Sequence, residues 1–445
     1  MRIWPIFMAA CVAAISAPAL AQKPNVKKSP VDAAANWPCF RGPNRTGVSA
    51  DKGLPLKWSD TQNIVWKSPL PGAGASSPVT FGDRIYLTCF SGYGLDRESP
   101  GKYEDLRRHV VCLARKDGKV LWEDAFPNQV PDDHFGDFIN LHGYASSTPS
   151  VDDSGVYVCF GTTGVRAYSH DGELKWERSC GERYTNFGSA SSPVLFGDLV
   201  IVNASVEAGA VIALAKRDGE EKWRVATTGL SRSTPLLLKQ GARHELVYHL
   251  GEDYEGGKPK TSGLAAVEPS SGKQLWKCIS LDSYLNPSPI AHGDTIYAIG
   301  CHPNRAVAIR AGGKGDVTGT HLVWDIPHGS EVGTPVWYDG HLFWANEESG
   351  IVYCVKATSG EVVYKERLQP RPGRIYASGV IADGKLYYVS RENGTYVLPA
   401  APRFELLAHN TFAADNSVFN ATPAISRGQL LIRSDKWLYC IGQRQ

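Results

Sequence analysis

The chain has 445 residues, including 45 glycines, 28 prolines and only two methionines, a composition suited to strands joined by tight turns. Charged side chains nearly cancel, at +2 overall, and no basic block exceeds Lys27-Lys28 or Arg107-Arg108. A nucleic-acid partner, which needs a concentrated basic surface, is therefore not expected.

The N-terminus reads as an export signal. Arg2, the apolar stretch from Ile3 to Ser16 and the small-x-small site Ala19-Leu20-Ala21 set residues 1–21 apart, with cleavage near Ala21. A membrane anchor is the competing reading, but this apolar run is short and ends in a cleavage pattern. Met8-Ala9-Ala10-Cys11 resembles a lipid-attachment site, yet cleavage there would leave only a stub of the apolar region. No later stretch approaches ~18 apolar residues, so a periplasmic or secreted protein without a membrane span is expected. Residues 22–62 read as an N-terminal extension and 63–445 as the main domain.

From residue 63 onward one short pattern recurs. A hydroxyl residue, usually followed by proline, opens it at Ser77, Thr148, Ser192, Thr234, Ser288, Thr334, Ser378 and Thr422. In the sixth copy, Thr334-Pro335 leads into Val336-Trp337-Tyr338, Asp339-Gly340 and His341-Leu342-Phe343-Trp344. Gly350-Ile351-Val352-Tyr353-Cys354, Ser359-Gly360 and Glu361-Val362-Val363-Tyr364 complete it. Four β-branched and aromatic runs separated by turn residues read as a four-stranded antiparallel meander. Copies spaced like propeller blades predict an all-β, eight-bladed propeller. A Trp or Tyr follows the second turn in most copies: Trp122, Trp176, Trp223, Trp276, Trp324 and Tyr364. One such ring per blade is expected to pack between neighbouring blades rather than to bind ligand. The eighth copy ends before its fourth strand, whereas Asn63-Ile64-Val65-Trp66 supplies a matching strand at the other end. Pairing residues 63–68 with the C-terminal strands would close the ring and cover an open edge.

Departures from the repeat are where function is sought. The linker from Asn128 to Tyr144 is lengthened and carries Asp132, Asp133, His134, Asp137 and His142. These are oxygen and imidazole groups that a metal accepts, and a polar loop capping the funnel is the structural alternative. Two further insertions, Ser91–Arg108 and Gly251–Ser262, read as exposed loops. His244-Glu245 and His249 do not make a zinc-protease helix, because five-residue spacing in a strand sends the histidines to opposite faces. Gly312-Gly313-Lys314-Gly315-Asp316 reads as a turn. No spacing selects an acid–base pair, so no catalytic residues are nominated. Nine cysteines remain after the signal; Cys112, Cys354 and Cys440 share a repeat position otherwise held by alanine, as expected of small core residues. Cys89 and Cys112 could form a cross-strand disulfide in an exported protein.

The apolar–Ala–apolar third strand, the Asp/Ser-Gly turn and the following Trp resemble the pyrroloquinoline-quinone (PQQ) repeat. Trp37-Pro38-Cys39-Phe40-Arg41-Gly42-Pro43-Asn44, His142-Gly143-Tyr144-Ala145-Ser146-Ser147-Thr148-Pro149 and Gly312 to Thr320 resemble secreted PQQ-like propellers of planctomycetes. That resemblance implies an eight-bladed propeller and two possible roles. One branch consists of PQQ-dependent alcohol and sugar dehydrogenases, which carry adjacent cysteines beside the quinone and a calcium site of Glu, Asn and Asp. Here no two cysteines adjoin, and no calcium ligands match residue by residue. The other branch is BamB-like, a non-catalytic platform for protein or ligand binding in the envelope. The reading adopted is a monomeric binding scaffold with an envelope protein or peptide as partner and no cofactor. A quinoprotein dehydrogenase using PQQ and calcium is the alternative.

Overall fold

The computed structural model describes residues 1–2, 36–128, 131–136, 138–185, 187–251, 254–255, 258–259, 262–281, 285–300 and 304–443. The segment read as an export signal, apart from its first two residues, lies outside the described residues.

Eight antiparallel sheets follow one another along the chain. The sixth, for instance, runs Val336–Tyr338, His341–Ala345, Ile351–Lys356 and Val362–Arg367. Its first hairpin turn is Asp339-Gly340, with φ of 45° and 77°, the left-handed pair that a two-residue hairpin requires. The third strand is buried from Val352 to Val355 because each sheet is covered on both faces by its neighbours: Val352 and Cys354 pack towards the seventh blade, Tyr353 and Val355 towards the fifth.

The ring closes through the chain's two ends. Ile64–Pro69 pairs antiparallel with Trp437–Ile441, beside Gln429–Arg433 and Ala424–Ser426, so the eighth blade takes its outer strand from the N-terminal side. Innermost strands of the first and eighth blades then abut as those of other neighbours do.

Tryptophan rings lock blade to blade on the outer side. Trp66, Trp122, Trp176, Trp223 and Trp324 donate their indole N–H to the backbone carbonyls of Arg115, His170, Lys216, Pro269 and Ala357, each in the next blade, at 2.8–3.2 Å. Each ring also lies on the glycine of the next blade's second turn. A Cβ on Gly272 would meet Trp223 at 2.8 Å.

Trp276 departs from this pattern, and the reason is the glycine-rich string at 312–320. That string is more than a turn. Gly315–Asp316 pairs in parallel with Gln274–Ile279, making the fourth sheet five-stranded, and Val317 is buried in the cluster containing Trp276. Trp276 bonds instead to Glu245 in its own blade, at 2.8 Å.

One expectation is corrected. In the first blade Cys112 faces Tyr86, while Cys89 faces His109; the three-residue offset puts the two thiols on opposite faces, in separate core clusters, so no Cys89–Cys112 disulfide forms. The insertion at 91–108 is largely exposed and is anchored at a few points. Tyr93 and Leu106 are buried, and Tyr93 packs edge-on against Tyr103 and Phe135. In the other insertion Tyr254–Glu255 pairs with Lys258–Pro259 as a short hairpin.

Candidate functional site: an axial funnel closed at its base

The opening hydroxyl of each copy sits at the ring's axis. The backbone N–H of Ser77 donates to Thr148 Oγ1 and that of Thr148 to Ser192 Oγ, at 2.9 and 3.0 Å. The series continues through Thr234, Ser288, Thr334, Ser378 and Thr422, at 2.9–3.0 Å. Seven such bonds encircle the axis. At the seam between blades eight and one, the buried Arg433 donates to the Ser76 carbonyl and hydroxyl and to the Thr88 carbonyl. A hydroxyl is favoured at this position because it accepts the neighbour's N–H, and the proline that follows has no N–H that would need an acceptor.

All eight hydroxyl residues border one cavity of about 230 Å³. Its upper wall comes from the linkers that enter each blade and from the loop after the second strand of blade six. Phe138 and Phe187 stack face to face there, with centroids 4.2 Å apart, and Arg232 lies over Phe187. Across the mouth stand Glu331, Glu347, Glu348, Arg374 and Tyr376. Glu347 is buried and accepts from the Ser330 hydroxyl and the Glu331 N–H, at 2.9 and 2.8 Å. Arg374 pairs with Glu348 at 3.4 Å.

The base is closed by residues 36–49, which approach from the opposite face. Asn36 accepts from the N–H of Gly82, in a first-hairpin turn, while Phe40 lines the cavity floor. Arg41 is buried and donates to four carbonyls: Arg45 (3.4 Å), Thr46 (3.0 Å), Thr334 (3.2 Å) and Pro335 (2.6 Å). Burial lowers its pKa to about 9. The string from Trp37 to Asn44 is therefore an axial plug. Gly42, at φ 70°, lets the backbone turn beneath the Trp37 ring.

The loop singled out for its acids and histidines leans over the funnel, but its groups are tied separately to the protein. Asp132 ion-pairs with the buried Arg108, which also holds Thr163 Oγ1 at 2.9 Å. Asp133 accepts from the N–H of Gly188 at 2.9 Å, and burial raises its pKa to about 6, with Asp132 adding to the rise. His134 lies against Tyr103, 4.8 Å between centroids. His142 has both nitrogens engaged, with Ser146 Oγ at 2.6 Å and the Phe187 carbonyl at 2.8 Å, and burial lowers its pKa to about 4. Asp137 lies outside the described residues. Among the described residues no three His, Cys, Asp or Glu groups converge as a cation site. The far end of the loop is pinned where Arg391 and Asn420 donate to the Leu141 carbonyl, at 2.6 and 2.9 Å.

The family model described as outer membrane protein assembly factor BamB matches residues 58–311 and 260–402. The chain belongs to that family. BamB from Moraxella catarrhalis superposes with a TM-score of 0.56 at 12% identity, over 85% of this chain and 98% of that one. A europium-containing methanol dehydrogenase gives a TM-score of 0.68 at 9% identity, over 93% and 99%. The quinohemoprotein alcohol dehydrogenase of Comamonas testosteroni gives 0.59 at 10% identity, over 93% and 82%. At such identities the likeness is one of fold. No curated protein sequence matches significantly.

Among the described residues the funnel assembles no cluster of three or more His, Cys, Asp or Glu groups that would hold the calcium of a bound quinone. Its floor is Phe40 from the chain's own plug, and its most buried acid, Glu347, accepts from Ser330 and Glu331 through one carboxylate oxygen. The repeat tryptophans that could sandwich a flat ring are held between blades instead.

Sequence reasoning did not pick out Arg232, Glu331, Glu347, Glu348, Arg374 or Tyr376. They are scattered one or two per linker, so no local motif marks them. Laying the eight copies over one another would expose them as charged and aromatic residues at positions the repeat leaves variable.

Proposed function

We propose that this chain is a non-catalytic propeller of the cell envelope that binds a protein or peptide partner at its funnel face. The observation that carries this reading is the construction of the funnel: one concave mouth built from variable linkers, closed below by the plug. His142 beside the mouth is bonded at both nitrogens, to Ser146 Oγ and to the Phe187 carbonyl. Family membership supports an envelope role, and no helix among the described residues is long and apolar enough to cross a membrane.

A quinoprotein dehydrogenase is the second reading, favoured by the superposition on methanol dehydrogenase. Incubating the purified chain with PQQ and calcium, then adding alcohols and an artificial electron acceptor, separates the two. The scaffold reading expects neither stoichiometric quinone retention nor acceptor reduction. Retention accompanied by turnover would replace it with the dehydrogenase.

A further inference from the structure

We propose that the axial funnel is a receptor for a free carboxylate, the C-terminal group of an extended peptide segment. This rests on the binding-scaffold reading and specifies what the scaffold takes.

The hydroxyl ring supplies the donors. Thr148, Ser192, Thr234, Ser288, Thr334, Ser378 and Thr422 each use their oxygen to accept a neighbour's N–H, and none donates its hydroxyl proton to a described residue. Every one is at most 7% exposed and borders the cavity. The space left for those protons is the cavity itself, so the ring asks for an acceptor.

Charge favours an anionic acceptor. Arg41 lies behind this ring, bonded to the carbonyls of Thr334 and Pro335, and makes no ion pair with a described carboxylate. Burying a cation without a counter-charge costs several kcal/mol, and an anion in the funnel would offset part of that. The rim selects against compact polyanions, because Glu331, Glu347 and Glu348 stand at the mouth. A peptide end suits both levels, with its carboxylate at the ring and its backbone N–H groups beside the acids. The closed base favours a chain end over a loop, since a segment passing through would meet Phe40. Donors and a positive charge at depth favour the C-terminus over the N-terminus.

The test uses the full mature chain and two libraries of N-acetylated tripeptides, identical except that one ends in free acids and the other in amides. Binding is read by native mass spectrometry and titration calorimetry. The expected result is retention of free acids at least tenfold tighter than their amides, about the value of one or two hydrogen bonds to a charged group. Thr334→Val should weaken acid binding about tenfold, and Thr334→Ser should keep it. If Thr334→Val does not fold, the acid-to-amide ratio of the parent chain decides. Equal binding of acids and amides, or no binding of either, overturns the proposal. Binding of acetate without the tripeptide acids would also overturn it, by removing the peptide. Capture of a defined envelope protein through another part of the funnel face, with no tripeptide bound, would sink this inference while leaving the scaffold reading standing.

Discussion

Single residues in this molecule are constrained by what the adjacent blade presses against them. Gly272 and Gly384 adopt nearly the same backbone conformation, φ 70° and 68°, but only Gly272 lies beneath a tryptophan. Gly384→Ala should therefore cost about 1 kcal/mol from the left-handed backbone alone. Gly272→Ala should cost roughly 2–4 kcal/mol, because Trp223 must also move. Denaturant midpoints of the two variants check the difference. Titration follows the same logic. His249 is buried, donates Nε2–H to the Pro287 carbonyl at 3.1 Å, and has its pKa lowered by burial to about 4. Between about pH 6.5 and 4 the unfolded chain binds a proton there and the native chain does not, so stability falls as pH drops through that window. His142 acts in the same direction. Asp133, raised to about 6, takes up a proton in the native state first and offsets one histidine as pH falls. His249→Gln should flatten the acid limb by about one proton, or ~3 kcal/mol by pH 4, in urea titrations across this range.

At the scale of elements, two segments cover edges that other strands leave open. Residues 315–318 hem the outer strand of the fourth blade, where Val317 N–H donates to the Lys277 carbonyl at 2.9 Å and Thr318 Oγ1 accepts from Ile279 N–H at 2.9 Å. Val317→Asp would bury an unpaired carboxylate and should cost about 3 kcal/mol, with earlier proteolysis near residue 316 as the local readout. The clasp strand Ile64–Pro69 and the plug before it can be separated by truncation. A chain beginning at residue 50 keeps the clasp and should unfold cooperatively at a lower temperature. One beginning at residue 71 leaves Trp437–Ile441 as an open edge and should aggregate or melt without a sharp transition. Calorimetry on both chains distinguishes these outcomes.

Across the whole molecule, the ring of hydroxyl bonds makes every blade depend on its neighbours. Seven of the eight blades send an N–H to the next at the axis, Arg433 bridges the remaining seam, and most blades send an indole N–H outward, so opening one seam breaks contacts on both sides of a sheet. The amides of Ser77, Thr148, Ser192, Thr234, Ser288, Thr334 and Ser378 should therefore exchange with deuterium only through global unfolding. Hydrogen-exchange mass spectrometry that found one of them exchanging early would show that the ring opens blade by blade. The plug gives the axis two unlike ends, because Phe40 lines the cavity floor and Arg41 is buried beside it, bonded to the Thr334 and Pro335 carbonyls.

Blade number, strand order and the closing clasp were legible in the sequence because each depends on local periodicity and on turns such as Asp339-Gly340, whose chemistry does not wait for tertiary contacts. The hydroxyl openings were visible too, but their purpose was not, since each partner lies some 42 to 71 residues away in the next copy. Residues without a local period escaped: Arg232, Glu331 and Arg374 become neighbours of one cavity only when the ring closes. The acids and histidines of the 128–144 loop show the converse, for their sequence proximity suggested one metal while the fold pulls Asp132 to Arg108 and His142 to Phe187. Repetition let the chain specify its own frame. Which side chains meet at the axis was decided by closure, because only a closed ring brings eight distant linkers to one point.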